Sequence, residues 1–274
     1  PYIMYCNASG ASISELFLAG FLPGVLIALC LMVYSYIYCK IHGEDKDKLN
    51  AKCMELRAKG LGTVLKEGFW ALMSPVIILG GIYGGICSPT EAATISIFYS
   101  LIVSLFIYRT IKIRDLPKIM LEGIHSYAPI LIILSAAVAF ARVITLMNVA
   151  TIVSEAVLSA ISSKVVILLL INILLLFVGM IMDTGPAILV FTPVLLPVAE
   201  AIGVDPIHFG IIMCVNLAIG FVTPPMGANL FVASNLSKVS VFDIARKAVP
   251  FILAFLIALL LITFVPQISM FLLQ

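Results

Sequence analysis

Between residues 165 and 182 the chain passes through eighteen consecutive positions with one polar side chain, Asn172, and no charge. Residues 251–265 form a second such run, broken only by Thr263. A membrane-spanning helix needs about 20 apolar residues, whereas a membrane barrel strand is about 10 residues of alternating polarity. Neither run alternates, so the chain is expected to be an all-α integral membrane protein whose first partner is the lipid bilayer. The composition agrees, with 62% apolar and 11% charged residues and a mean hydropathy of +1.20. Soluble domains carry roughly 25% charge.

Sixteen basic residues stand against fourteen acidic ones, a net charge of +2, with no basic tract interleaved with aromatics; nucleic acid is therefore no expected partner. The six cysteines, Cys6, Cys30, Cys39, Cys53, Cys87 and Cys214, are too scattered to frame disulfides or a zinc site. His42, His125 and His208 sit at loop or span edges and read as interfacial. The first ten residues have no signal-peptide pattern, so the chain reads as beginning inside a longer protein. Phosphate-binding loops and zinc-protease motifs are missing from the sequence, which gives an ATPase or a metalloprotease no support.

Lys and Arg gather at Lys40–Lys66 and again at Arg109–Lys118, and positive loops stay cytoplasmic. The segment 16–38 then runs inward, 69–87 outward, 92–108 inward and 126–147 outward, followed by an interfacial helix at 149–162. Two apolar segments, 165–182 and 187–201, are joined through Asp183, Thr184, Gly185 and Pro186. Whether they cross or dip in and return, they leave the chain on the side where it began. The segment 208–231 next runs inward to a smaller positive group at Lys238, Arg246 and Lys247, and 249–264 exits.

An internal duplication is faintly legible. Pro1, the stretch ending at Ser9, the amphipathic segment from Ser12 to Phe17, and Pro23 recur as Pro225, the stretch ending at Ser234, the segment from Val239 to Ile244, and Pro250. The copies run in opposite directions, and inverted repeats mark secondary transporters. The expected organisation is a first-repeat tail with its last helix (1–40), a cytoplasmic basic linker (41–66) and a second repeat (67–274). The second repeat divides into scaffold helices (67–110), an arm and helix (111–163), a re-entrant hairpin (164–202), a broken transmembrane helix (207–236) and a last helix (241–272).

Pro224 and Pro225, flanked by Gly220 and Gly227, fall inside an apolar span. Proline cannot bond the carbonyl four residues earlier, so the carbonyls of Gly220 and Phe221 are expected to be stranded. In hydrocarbon they need protein, water or an ion. Carbonyls with the Thr223 hydroxyl suit a sodium ion; a kinked helix satisfied by its neighbours remains the other reading. Asp183 caps the helix that Pro186 helps to start, forms one wall of an ion site, or does both. Arg142 either snorkels to the outer interface or guides an anion and pairs with Asp183. Ser88, Pro89 and Glu91 read as a capping box.

With those residues assembled, the chain resembles the large membrane subunit of tripartite ATP-independent periplasmic (TRAP) transporters. The matching stretches are 75–93, from Pro75 to Ala93, and then 179–197, 203–210 and 220–230. The resemblance implies an elevator-type, sodium-coupled importer in a bacterial inner membrane. Its substrate would be an organic acid, a C4-dicarboxylate or a sialic-acid-like sugar acid, delivered by a periplasmic substrate-binding protein, with a small membrane subunit beside it. By position, Gly179, Gly220, Thr223 and Met226 would form the second-repeat sodium site. Arg142, Asp183, Thr184, Gly185 and Asn229 would bind substrate. A channel-like or scaffold subunit is the alternative, and an intramembrane enzyme lacks a nucleophile and base.

Overall fold

The computed structural model of the chain describes residues 1–43, 50, 53–54, 60–225 and 227–273. Among these residues the only regular structure is helical. Among the described residues six helical stretches are long and apolar enough to cross a membrane, Ile13–Ile41, Gly62–Tyr83, Pro89–Ile107, Lys164–Ile181, Thr184–Ala201 and Val241–Phe264, and the pair Leu131–Leu146 with Val149–Ala160, bent by 63°, makes a seventh if it is one span. The chain divides into two compact units, one made of Pro1–Tyr36 with Ile130–Gln274, the other of Ile37–Pro129.

In chain order the helices are α1 (Tyr2–Ser9), α2 (Ile13–Ala19), α3 (Phe21–His42), α4 (Leu61–Tyr83), α5 (Pro89–Ile102), α6 (Leu116–Leu146), α7 (Val149–Ala160), α8 (Lys164–Ile181), α9 (Thr184–Ala201), α10 (Pro206–Gly220), α11 (Ala228–Ser237), α12 (Val241–Phe264) and α13 (Gln267–Met270). In the smaller unit, the Ser88 hydroxyl accepts the Glu91 amide while the Glu91 carboxylate accepts the Ser88 amide, the capping box that starts α5. The Tyr99 hydroxyl donates to the Trp70 carbonyl at 2.8 Å and Tyr108 to that of Glu67, tying α5 and its following turn to α4.

Several boundaries differ from those expected. α6 begins ten residues before the expected start at 126, running through polar sequence in which Lys118 and Glu122 form an exposed i,i+4 pair at 3.9 Å. α9 begins at Thr184, three residues before the apolar segment 187–201, with Asp183 capping it and Pro186 in its first turn as expected. The last helix ends at Phe264, where the exiting span was expected to end, because Pro266 blocks continuation; its start at Val241 is eight residues earlier than that span's. The helix expected to be broken over 207–236 is broken between α10 and α11, and α10, with 15 residues, is about 22 Å long, too short to cross hydrocarbon alone.

α10 is the centre of the larger unit. His208 through Leu217 are buried on every side, as a helix in the middle of a bundle must be. Around it pack α1, α2, α8, α9, α12 and α13. α8 buries one stripe, Ile167, Leu168, Ile171, Asn172, Leu175, Val178 and Gly179, and leaves Val165, Ile173 and Phe177 outward. Tyr5, fully buried, donates its hydroxyl to the Pro206 carbonyl and fixes α1 to the start of α10.

The two segments read as copies share a backbone signature, in a register that pairs Ser9 with Ser237 and not with Ser234. Ser12 caps α2 by accepting the Glu15 amide at 3.4 Å, and Ser240 caps α12 by accepting the Asp243 amide at 3.2 Å. Gly10 (φ 76°) and Lys238 (φ 58°) end α1 and α11 in the left-handed region, each donating to the carbonyl four residues back at 2.8 Å. The Ala11 amide donates to the Ser9 hydroxyl and the Val239 amide to that of Ser237. Every pair has the same separation, that of Gly10 from Lys238. The copies part afterwards, where Gly20 interrupts the first between α2 and α3 while α12 runs through Pro250.

Candidate functional site at the hairpin tip and helix break

α8 and α10 lie side by side in the same direction, since Asn172 meets Asn216 and, farther along both helices, Gly179 meets Leu217 and Gly220. The glycine contact is backbone on backbone. A Cβ on Gly179 would stand 3.1 Å from the Leu217 Cα and 3.2 Å from the Gly220 Cα, and one on Gly220 would overlap the Gly179 backbone. Gly179 is near the end of α8 and Gly220 is the last residue of α10, so the tip of the α8–α9 hairpin is held beside the break between α10 and α11. Bringing Gly179 and Gly220 together is the main thing the fold does for the site.

At the break, successive amides shorten their reach: Val222 donates to Ile219 at 3.1 Å and Thr223 to Gly220 at 3.0 Å. The expectation that the carbonyls of Gly220 and Phe221 are stranded is corrected here. Gly220 accepts the Thr223 amide, and Phe221 accepts the Asn229 amide at 3.2 Å from the start of α11. Each carbonyl keeps a second lone pair. The Phe221 and Thr223 carbonyl oxygens converge on Gly227, where a Cβ would lie 2.8 and 2.9 Å from them. The Thr223 hydroxyl donates to the Ile219 carbonyl at 2.7 Å, leaving its two lone pairs to accept. Met226 lies outside the described residues.

At the hairpin tip the Asp183 carboxylate accepts the Thr184 amide at 2.7 Å, so the capping role is real, and the side chain is exposed. Thr184 is 6% exposed and its Oγ1 has no hydrogen-bond partner. Gly185 is buried under α1, a Cβ there meeting the Met4 sulfur at 3.1 Å. Asn229 is exposed, on the first turn of α11. Arg142 is exposed, four residues before the end of α6, and among the described residues no ion pair joins it to Asp183. His208, in the first turn of α10, is enclosed by protein. It is 2% exposed, with Nδ1 within hydrogen-bond distance of the Ser269 hydroxyl.

Carbonyl oxygens and a hydroxyl at a helix C-terminus are hard, partly negative donors, suited to a small cation. The N-termini of α9 and α11 present amides and partial positive charge, suited to an anion. No group of His, Cys, Asp and Glu fit for a transition metal occurs among the described residues. The helix break is legible in the sequence, where Gly227 stands only as a flank, whereas Thr184's unpaired hydroxyl oxygen and the Asn172–Asn216 pair emerge from the fold. The isolated Asn172 in an otherwise apolar run was the available signal for the last of these.

A family model described as "Tripartite ATP-independent periplasmic transporter, DctM component" matches residues 1–268. The isethionate TRAP transporter permease protein DctMQ of Oleidesulfovibrio alaskensis is 43% identical over 99% of this chain and 42% of its own length. The C4-dicarboxylate TRAP transporter large permease protein DctM of Pseudomonas aeruginosa is 37% identical over 98% of this chain and 61% of its own. The sialic acid TRAP transporter large permease protein SiaM of Vibrio cholerae is 34% identical over 99% of this chain and 62% of its own. The chain thus spans 42% to 62% of these relatives.

Proposed function

The chain belongs to the DctM family of tripartite ATP-independent periplasmic transporters, and we propose that it carries the second inverted repeat of a sodium-coupled permease. It is a multi-pass protein of the bacterial inner membrane and a transporter component, not an enzyme. The complete permease imports a small organic anion handed over by a periplasmic binding protein, with a small membrane subunit bracing the part that stays still. The relatives' names support a carboxylate or sulfonate substrate, since dicarboxylate, sialic acid and isethionate all present a planar or tetrahedral oxyanion.

The observation that carries this reading is the contact of Gly179 with Gly220. It holds the end of α8, which leads through Asp183 into the amide end of α9 at Thr184, against the carbonyl end of α10 with Phe221, Thr223 and the Thr223 hydroxyl. Sodium takes the oxygen-rich side and the substrate anion takes the amide side, with Asn229 and Asp183 at the exposed rim. Occupancy of the first favours the second, because each charge offsets the other across a short distance. The hairpin, α10 and α11 then move as one body in an elevator stroke while the apolar outer helices stay in lipid.

The test is uptake of labelled substrate into proteoliposomes holding the complete transporter and its binding protein. Uptake should require a sodium gradient, cease when choline replaces sodium, and proceed without ATP. Uptake that continues unchanged in choline, or that needs ATP, overturns the reading.

A further inference from the structure

Asn172 on α8, Asn216 on α10 and Thr263 on α12 are 3%, 0% and 2% exposed, three polar side chains joined by hydrogen bonds inside a largely apolar core. The Asn216 Nδ2 donates to the Asn172 Oδ1 and to the Ile212 carbonyl, both at 2.8 Å. The Asn172 Nδ2 donates to the Thr263 hydroxyl at 3.1 Å, whose own hydrogen goes to the Leu259 carbonyl at 2.8 Å. Two acceptors on one nitrogen fix the Asn216 amide in this orientation, and its Oδ1 is left buried without a partner.

An unsatisfied buried acceptor costs about 1–3 kcal/mol, while a pair of apolar residues of similar shape would be nearly neutral. The pair therefore does little for stability. It does supply direction. Apolar helix surfaces in a bilayer have no hydrophobic force between them and few features to stop one sliding along another. A hydrogen bond at 2.8 Å is lost on a slip of one residue, about 1.5 Å along the helix. Asn172 lies two turns before Gly179 on α8, and Asn216 lies one turn before Gly220 on α10. The alignment that lets the asparagines bond is the one that seats Gly179 against Gly220.

We propose that Asn172 and Asn216 are positioning residues, a register key that holds the hairpin tip at the depth of the helix break. Its consequence for transport rests on the function proposed above; the alignment itself does not.

The experiment uses the complete transporter with spin labels at Val165→Cys on α8 and Ala218→Cys on α10, both exposed positions, in a background freed of reactive cysteines. The parent should give one narrow distance. The Asn172→Leu, Asn216→Leu double variant should keep its thermal stability or gain some. Its label distance should broaden or shift by up to one turn, about 5 Å. The sodium concentration for half-maximal uptake should rise roughly three- to tenfold, the size of one lost hydrogen bond. An unchanged narrow distance overturns the proposal whatever happens to uptake. A shifted distance with sodium-independent uptake keeps the register key and overturns the transport reading instead.

Discussion

Gly179 and Gly220 touch through their backbones across the α8–α10 interface, where a side chain on either would press on the other's backbone. The two differ in how much room they have. A Cβ on Gly179 meets its nearest neighbours at 3.1–3.2 Å, within reach of a small shift, whereas one on Gly220 overlaps the carbonyl group and Cα of Gly179.

Gly220→Ala is expected to force α8 and α10 apart, lowering stability by about 1–3 kcal/mol, the usual cost of overpacking, and abolishing uptake. Gly179→Ala should cost less and leave partial transport. Thermal midpoints in detergent, with uptake measured on the same preparations, check the order. Equal effects of the two would mean that the interface yields elsewhere and does not set the site.

The hairpin tip offers a topological prediction. Asp183 is exposed while Thr184 and Gly185 are buried, so a label should be placed at Asp183 and not on its neighbours. In a re-entrant hairpin, Asp183→Cys reacts with an impermeant reagent from the outside in at least one condition and is shielded when substrate and sodium are present. Ready labelling from the cytoplasmic face in every condition would make α8 and α9 two full spans joined by a cytoplasmic turn.

The duplicated caps give a paired stability prediction. Gly10 and Lys238 hold the same left-handed conformation, free of cost for glycine and about 1–2 kcal/mol for a lysine. A Cβ on Gly10 meets nothing within 4 Å, so Gly10→Ala should destabilise through backbone conformation alone, by about 1 kcal/mol. Lys238→Gly should stabilise by somewhat less, because the lysine's charge favours the end of α11. Thermal midpoints of opposite sign support the equivalence of the two copies; a loss of stability in both would break it.

How legible this was depended on the kind of signal. The apolar runs and the prolines of the break could be read directly because period and composition report lipid exposure and missing amides. Ser88 with Glu91 was readable because a cap is a local pattern. The fate of the Gly220 and Phe221 carbonyls was not, since the Phe221 acceptor is satisfied by Asn229, eight residues on, through a fold of the loop that no helical rule anticipates. The start of α6 was missed for the opposite reason: Lys118 and Glu122 look like loop but support one another on a helix. Burial of His208 depended on α13 folding back over α10, a contact between residues 61 positions apart.

Thr223 gives the sharpest test of the cation reading. Its hydroxyl hydrogen is committed to the Ile219 carbonyl, an arrangement found in many helices with no ligand nearby. That bond leaves the oxygen's lone pairs on the far side from Ile219, so the same contact that could make Thr223 merely structural also orients it as a ligand. Three variants separate the roles. Thr223→Ser keeps both hydroxyl functions and should keep wild-type sodium dependence. Thr223→Val preserves shape without the oxygen, and Thr223→Ala removes both. If the oxygen ligates sodium, Val and Ala should raise the half-saturating sodium concentration alike, by roughly tenfold or more, as expected for about 1.5–3 kcal/mol from a bond to a charged group. Maximal uptake at saturating sodium should survive, because the backbone carbonyls of Phe221 and Thr223 remain. If the hydroxyl only ties off Ile219, the sodium curves of all three variants should superimpose on the parent's, with any change confined to the thermal midpoint. That result would remove Thr223 from the site and leave the cation to the converging carbonyls around Gly227.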